Sequence, residues 1–268
     1  MAITIIVALS TTSCTRYFYQ VYQATPVDNS INDRLIHETQ DFTVSYNFWE
    51  DGGNFGFVFY NKTDENIYIN MKETFFIQND VAYNYFQDRT FTSSRSSLAI
   101  ESHDVNVATS VNIANRLNLF QTGKKATLSS SSNKGVTYQE EEIVCIPPNA
   151  SKVISEYNIV SGVYRDCDLF RYPKRSQIIT KQFSQHNTPY TFSNRITYTK
   201  GVSDYKHKID HEFYVSEITN YREKDVSAQE VEEFCGQKGT TRTVFTIEDT
   251  ADKFYLRYNN RAGGFKKH

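Results

Sequence analysis

The sequence predicts an all-β fold of the immunoglobulin-like sandwich type, and two observations support this prediction. Tyr and Phe number 19 each, a bias toward residues that fit the pleated surface of a sheet. Short segments with an apolar residue at every second position also recur along the chain, and this is the period of a half-buried strand. With 39% hydrophobic and 22% charged residues, the chain can bury a core and lacks the composition of a disordered segment.

The clearest strands lie in residues 41–72. In "DFTVSYNFWEDGGNFGFVFYN", two alternating segments flank Asp51-Gly52-Gly53, which tolerates the positive φ angles of a tight hairpin. The segment "NKTDEN" then leads into "IYINM", so this range predicts a three-stranded meander, followed by a strand at Ala82–Phe86. The apolar positions of the meander are Phe42, Val44, Tyr46 and Phe48, then Phe55, Phe57 and Phe59, and finally Ile67, Ile69 and Met71.

The middle of the chain is less regular, and strands resume after it. Residues 88–137 are rich in Ser, Thr and Asn; "TLSSSSNKG" has the composition of a loop, and "VNIANRLNLF" predicts a short turn or helix. Strands are predicted in "EEEIVCIPP", "SKVISEYNI", "TFSNRITYT" and "KFYLRYN". The segment "IDHEFYVSEITNY" is apolar on nearly both faces, as expected for a strand near the middle of a sandwich.

One short helix is predicted near residues 227–235. Ser227 and Glu230 form an S-x-x-E capping box, and Val231, Phe234 and Cys235 have the apolar spacing of one helical face. Gly236, which follows, suits the C-terminal end of such a helix.

The first residues predict a bacterial lipoprotein signal. Ala2–Leu9 form an apolar run, residues 10–13 are small, and Cys14 follows as the residue to be acylated. The run is too short to cross a bilayer, which takes about 20 residues. The positive n-region is missing and Thr11 stands where the usual motif has Leu, which a start upstream of Met1 and a relaxed motif would explain. The alternative is a buried first strand.

These elements predict the domain organisation of the chain. It comprises a signal peptide at residues 1–13, an N-terminal strand and linker at 14–40, a β-sandwich region at 41–147, a second sandwich region or a continuation of the first at 148–258, and a flexible tail at 259–268. Whether the chain forms one sandwich or two stays open.

Several segments resemble those of a group of uncharacterised lipoproteins from Bacteroides and its relatives. They are "YQVYQATP" after Cys14, "NKTDENIYINMKETFFIQNDVAYNYFQDRTFT", "IPPNASK" and "PYTFSNRITYT", and the resemblance spans most of residues 14–258. It implies export, a lipid anchor, a β fold and an outer-membrane location on the periplasmic or outer face, but no activity.

No catalytic, metal or cofactor site is predicted, because the chain has no G-x-S-x-G, H-E-x-x-H, P-loop or C-x-x-C motif. His207 and His211 would lie about 13 Å apart on one face of a strand, too far to share a metal ion. The acidic run at residues 140–142 and the pair Asp166 and Asp168 are expected to be solvated rather than a glycosidase pair.

Four further positions carry predictions. Trp49 is expected on the polar face of its strand, either as a ligand contact or packed under a loop. Cys167 and Cys235 are the expected disulfide pair, with Cys145 a buried thiol. Asp249-Thr250-Ala251 resembles the motif at which such bacteria attach O-glycans, so Thr250 is a candidate for glycosylation.

The function predicted from these features is a non-enzymatic structural or interaction role in the cell envelope. The expected partners are the membrane, through the lipid anchor, and other envelope proteins or glycans. The net charge of −2 gives no basic footprint for nucleic acid. The alternatives are a carbohydrate-binding surface lipoprotein, for which Trp49 is the contact residue, and, last, a glycoside hydrolase.

Overall fold

The computed structural model describes residues 15–94, 135–203 and 205–261. The predicted signal peptide, Cys14, the segment "VNIANRLNLF" and the end of the predicted tail lie outside the described residues. The strands are β1 (Tyr17–Pro26), β2 (Ile36–Glu38), β3 (Phe42–Ser45), β4 (Phe57–Asn61), β5 (Ile67–Asn70), β6 (Phe75–Gln78), β7 (Val81–Asn84), β8 (Thr90–Ser94), β9 (Gly135–Gln139), β10 (Ile143–Ile146), β11 (Ser151–Ile154), β12 (Thr180–Gln182), β13 (Thr191–Lys200), β14 (His207–Arg222), β15 (Ser227–Phe234), β16 (Gln237–Phe245) and β17 (Lys253–Asn259). A four-residue helix, α1 (Glu223–Val226), follows β14, and short 3₁₀ turns span Met71–Glu73 and Arg175–Gln177.

Two antiparallel sheets form the body of the protein. The larger sheet has the order β10-β5-β13-β14-β1-β17, with β12 also paired to β14, β6 to β13, and β7 to β6. The smaller sheet has the order β11-β4-β3-β2, and two separate hairpins are formed by β15 with β16 and by β8 with β9. The prediction of an all-β, sandwich-like fold is confirmed.

Both sheets combine strands from residues 41–147 with strands from residues 148–258. In the larger sheet β5 pairs with β13, and in the smaller one β4 pairs with β11. Neither sheet is therefore confined to one of the two predicted regions.

The core between the sheets is largely aromatic. The apolar positions predicted for residues 41–72 are all buried, and Phe55, Phe57 and Phe59 are completely so. The Phe55 ring meets Phe192 of the larger sheet edge-to-face, with centroids 4.8 Å apart and planes at 89°, a geometry that aromatic quadrupoles favour. The two-residue period of these strands therefore identified the core face correctly.

The predicted three-stranded meander is only partly right. β3 and β4 pair as expected, but β5 pairs with β10 and β13 in the opposite sheet. The connection between β4 and β5 crosses the sandwich, and Asn61 holds it by donating from Nδ2 to the carbonyl oxygens of Glu65, Ile146 and Pro147. Alternation predicts which face is buried, but it does not specify the neighbouring strand.

The helix predicted near residues 227–235 is wrong, because this segment is β15 of a hairpin. Cys235 and Gly236 at its tip have φ angles of 51° and 76°, and two consecutive positive φ angles suit a two-residue hairpin turn. The Ser227 hydroxyl donates to the Glu223 carbonyl oxygen at 2.9 Å, so it caps the end of α1 instead of starting a helix. The hairpin turn and the pairing with β16 therefore determine the structure of this segment, although three of its apolar residues have helical spacing.

Candidate functional site

Most of the carboxylates weighed as catalytic groups are held in ion pairs, and Glu142, for example, lies 2.8 Å from Lys72 Nζ. Glu140 Oε1 lies 2.5 Å from Arg89 Nη2. Lys181 Nζ lies 2.5 Å from a carboxylate oxygen of Asp166 and 2.9 Å from one of Asp168. These carboxylates therefore have cations as their neighbours. A glycosidase instead needs two carboxyl groups that face each other across a cleft.

The histidines of β14 take different environments. His207 is exposed and stacks on Tyr198, with centroids 5.1 Å apart, whereas His211 is fully buried. Among the described residues, no three His, Cys, Asp or Glu side chains are grouped so that they could hold a metal ion.

His211 belongs to a buried polar chain that the sequence analysis missed. Its Nε2 lies 2.5 Å from His37 Nδ1, and its Nδ1 lies 2.7 Å from the Tyr46 hydroxyl. We call Tyr46, His211 and His37 the histidine chain. His37 lies on β2, Tyr46 follows β3, and His211 lies on β14. The histidine chain therefore connects the two sheets.

The histidine chain is built to be neutral. Burial, together with the neighbouring His37, lowers the pKa of His211 to about 3, although the charge of Asp28 acts in the opposite direction. Burial also lowers the pKa of His37. Desolvation disfavours the charged form of an imidazole, so at neutral pH both rings serve as hydrogen-bonding groups inside the sandwich.

The structure excludes Trp49 as an exposed contact residue. Trp49 is only 8% exposed and packs in a second cluster with Tyr19, Val21 and Val226. Its ring centroid lies 4.9 Å from that of Phe245, edge-to-face. The residue points away from the main core, as its strand position predicted, but β16 and β17 cover it.

The predictions for the cysteines are not borne out. Cys145, Cys167 and Cys235 are all exposed and free, so the described residues contain no Cys167–Cys235 disulfide. Cys235 lies at the tip of the β15–β16 hairpin. Cys145 is exposed because Val144 and Ile146 on either side of it take the buried face of β10.

Thr250 lies in the loop between β16 and β17, where the sequence placed it, and is half-buried. The preceding Asp249 is exposed and has a φ of 48°, which fits the turn chemistry of Asp. Glycosylation of Thr250 stays a prediction.

A cleft of about 850 Å³ lies at the start of β1. The start of β1, the loop before β12 and the end of β14 with α1 form its walls. We call it the basic cleft. Its aromatic floor consists of Tyr17, Phe18 and Tyr172, and the Phe18 ring packs on that of Tyr172 with centroids 5.2 Å apart.

Strand pairing holds the walls of the basic cleft together. In β1, Phe18 lies opposite Arg222 of β14 on one side and opposite Tyr258 of β17 on the other. The Arg16 amide donates to Asn260 Oδ1 at 3.0 Å, and the Asn260 amide donates to the Arg16 carbonyl oxygen at 3.2 Å. Arg16 is thereby fixed at the rim although it lies near the first described residue.

Cations outnumber carboxylates around the basic cleft. A second depression, lined in part by Arg175, adjoins the basic cleft. Arg222 and Lys224 line both concavities. The five cations and two carboxylates that line the two concavities are Arg16, Lys174, Arg175, Arg222, Lys224, Glu223 and Asp225, with a net charge of +3.

Both carboxylates of the basic cleft are already paired. Arg222 Nε donates to Asp225 at 2.5 Å, which lowers the pKa of that carboxyl group, and Arg257 pairs with Glu223 at 2.8 Å. Arg16, Lys174, Arg175 and Lys224 are exposed, and among the described residues no carboxylate lies within ion-pair distance of any of them. The charges of Lys224 and Arg175 nonetheless help to lower the pKa of Asp225.

Comparison with known proteins adds no assignment. No protein-family model, curated protein or solved structure matches this chain. Within the ranges that the structure describes, no helix is long and apolar enough to cross a membrane.

The basic cleft can bind an anion beside an apolar surface. Guanidinium and ammonium groups are the side chains that proteins use to bind phosphate and carboxylate groups. The aromatic floor adds surface on which an apolar portion of a ligand can pack.

The sequence contained only weak signals of the basic cleft. Its cations come from "TRY", "YPKRS" and "YREKD", three short segments with unremarkable local charge. They meet because β1 pairs with the end of β14 and because Tyr258 donates its hydroxyl to the Arg171 carbonyl oxygen at 2.5 Å. Long-range pairing of this kind cannot be inferred from one sequence.

Proposed function

We propose that this protein is an exported, lipid-anchored protein of the cell envelope with a non-enzymatic structural or interaction role. The observation that supports the proposal most directly is the location of the basic cleft. Thr15 lines it, and Cys14 is the next residue toward the N-terminus. Because consecutive Cα atoms lie about 3.8 Å apart, a lipid on Cys14 would be attached within one residue of the cleft.

The proposal includes an outer-membrane location and an immunoglobulin-like type of sandwich. The apolar run before Cys14 and the resemblance to Bacteroides-type lipoproteins support the former. The antiparallel pairing in both sheets and the shared aromatic core support the latter.

The two alternative functions have less support. Carbohydrate binding depended on an exposed Trp49, which is buried. Glycoside hydrolysis needs two opposed carboxyl groups. Of the carboxylates considered for that role, Glu140 pairs with Arg89, Glu142 with Lys72, and both Asp166 and Asp168 with Lys181.

The test of this proposal is the fate of Cys14 in the native host. We expect the wild-type protein to fractionate with membranes and to resist a salt wash, because several acyl chains hold a protein far more firmly than one. Mass spectrometry should find the N-terminal peptide beginning at a lipid-modified Cys14. The Cys14→Ser variant should be released or mislocalised, whereas Cys145→Ser, which removes an exposed thiol, should remain in the membrane fraction.

The contradicting outcome is equally specific. A wild-type protein that is soluble in the cytoplasm and retains Met1 would refute the lipid anchor.

A further inference from the structure

The basic cleft and the rest of the chain have net charges of opposite sign. The whole chain carries a net charge of −2, and the residues lining the cleft and its adjoining depression carry +3, so the rest of the chain carries −5. An anionic surface would attract the cleft and repel the remainder.

The free cations also lie at the end of the molecule where the chain is joined to Cys14. Arg16 is two residues from Cys14 in sequence, and the strand pairing described above brings Lys174 and Lys224 to the same cleft. The aromatic rings beside them suit the boundary between water and acyl chains, where amphipathic rings and snorkelling Lys and Arg side chains concentrate.

We propose that the basic cleft docks on the anionic phospholipid headgroups of the membrane that holds the protein. This inference rests on the proposed lipid anchor at Cys14, and it adds a second contact beside that anchor. Arg16, Lys174, Arg175 and Lys224 contact headgroup phosphates. The contact fixes the orientation of the sandwich on the membrane.

The intrinsic affinity of this contact need not be high. A tether as short as the link from Cys14 to Thr15 keeps the cleft at a high effective concentration at the membrane surface. Free cations on a partly hydrated rim also retain their water until a phosphate approaches, so the contact remains reversible and sensitive to salt.

The test uses the full chain carrying Cys14→Ser, so that no lipid contributes to binding. The protein is mixed with phosphatidylcholine vesicles that contain phosphatidylglycerol, and with vesicles of phosphatidylcholine alone, and is then sedimented. We expect binding only to the anionic vesicles, decreasing as added salt shortens the Debye length from about 10 Å at 0.1 M to about 3 Å at 1 M.

The decisive variant adds Arg16→Gln, Lys174→Gln and Lys224→Gln. Each basic residue near an anionic surface contributes a roughly fivefold gain in partitioning, so the loss of three should weaken vesicle binding by roughly a hundredfold.

The matched control adds Lys152→Gln, Lys208→Gln and Lys238→Gln instead. These lysines are exposed and do not line the cleft, and the change in net charge is the same. The control should bind anionic vesicles as the parent chain does.

Three outcomes would overturn the inference. They are equal binding to both kinds of vesicle, an equal loss in the two triple variants, and displacement from anionic vesicles by soluble glycerol 3-phosphate, which would indicate a site for a free phosphate ester. The tested protein carries Cys14→Ser, so its binding to vesicles does not depend on lipidation of Cys14. Lipidation itself is measured by the fractionation experiment.

Discussion

The histidine chain and the basic cleft each gather several nitrogen-bearing side chains, but they satisfy them in opposite ways. Inside the sandwich, both ring nitrogens of His211 have a partner within 2.7 Å, and burial keeps the ring neutral. At the cleft, four cations are exposed, and their charges are left for solvent or a ligand.

This difference separates a structural polar site from a binding site. A buried polar group without partners costs free energy, so the interior tolerates His211 only because Tyr46 and His37 complete its hydrogen bonds. An exposed cation keeps its hydration and needs no internal partner. Nitrogen-bearing side chains therefore hold the two sheets together in the histidine chain, whereas in the basic cleft they remain available to a ligand.

The largest effect expected from this contrast is a loss of stability in acid. The pKa of His211 is lowered from its usual 6.5 to about 3 in the folded state, so between these values the unfolded chain binds more protons. Stability is then complete above pH 6.5 and falls by about 1.4 kcal/mol for each pH unit below it, or about 3 kcal/mol at pH 4.5. Burial of His37 acts in the same direction.

Urea unfolding followed between pH 7.5 and pH 4.5 measures this loss. In His211→Leu the titrating group is absent, so most of the dependence above pH 4.5 should disappear. An unchanged slope in the variant would assign the acid sensitivity to other groups.

The next effect is the cost of His211→Leu at neutral pH. Leucine fills similar space but cannot bond to the Tyr46 hydroxyl, which is completely buried. We expect a loss of about 1–2 kcal/mol in the free energy of unfolding, since a buried group loses a hydrogen-bond partner. His186→Leu is the control: His186 is exposed in a loop and should change stability by less than about 0.5 kcal/mol. Equal effects of the two variants would mean that the histidine chain does not stabilise the fold.

The two sites also differ in what the sequence could predict about them. The two-residue period placed the aromatic residues of β3 and β4 on the core face, and β14 lies near the middle of its sheet as predicted. The expectation that β14 is apolar on nearly both faces is wrong for its first half, because only alternate residues from Ile209 to Val215 are buried. Such patterns are local, and burial follows from them directly. His37 and His211, by contrast, are 174 residues apart in sequence, and a single sequence carries no information about that pairing.

Two of the failed predictions have their cause in strand pairing and packing. The segment after Ser227 shows three apolar residues at helical spacing, but Cys235-Gly236 at its end forms a hairpin turn, and residues 237–245 supply a pairing strand. Trp49 was correctly placed off the main core face, yet a second cluster beneath Phe245 buries it. In both cases contact with another strand determined the environment of the residue. Local sequence propensity does not specify such contacts.

The smallest expected effect completes the contrast between the two sites. Neutralising Arg16, Lys174 and Lys224 together should leave the free energy of unfolding within about 0.5 kcal/mol of the parent, because exposed charges without ion pairs contribute little to stability. Removing three like charges from a cleft of net charge +3 should even stabilise the protein slightly at low salt, since the repulsion among them is relieved. Urea unfolding at low and high salt, beside the triple lysine control, measures this. A loss of more than about 1 kcal/mol would mean that these cations have structural partners, and a weakened vesicle contact in that variant could then be ascribed to a damaged fold.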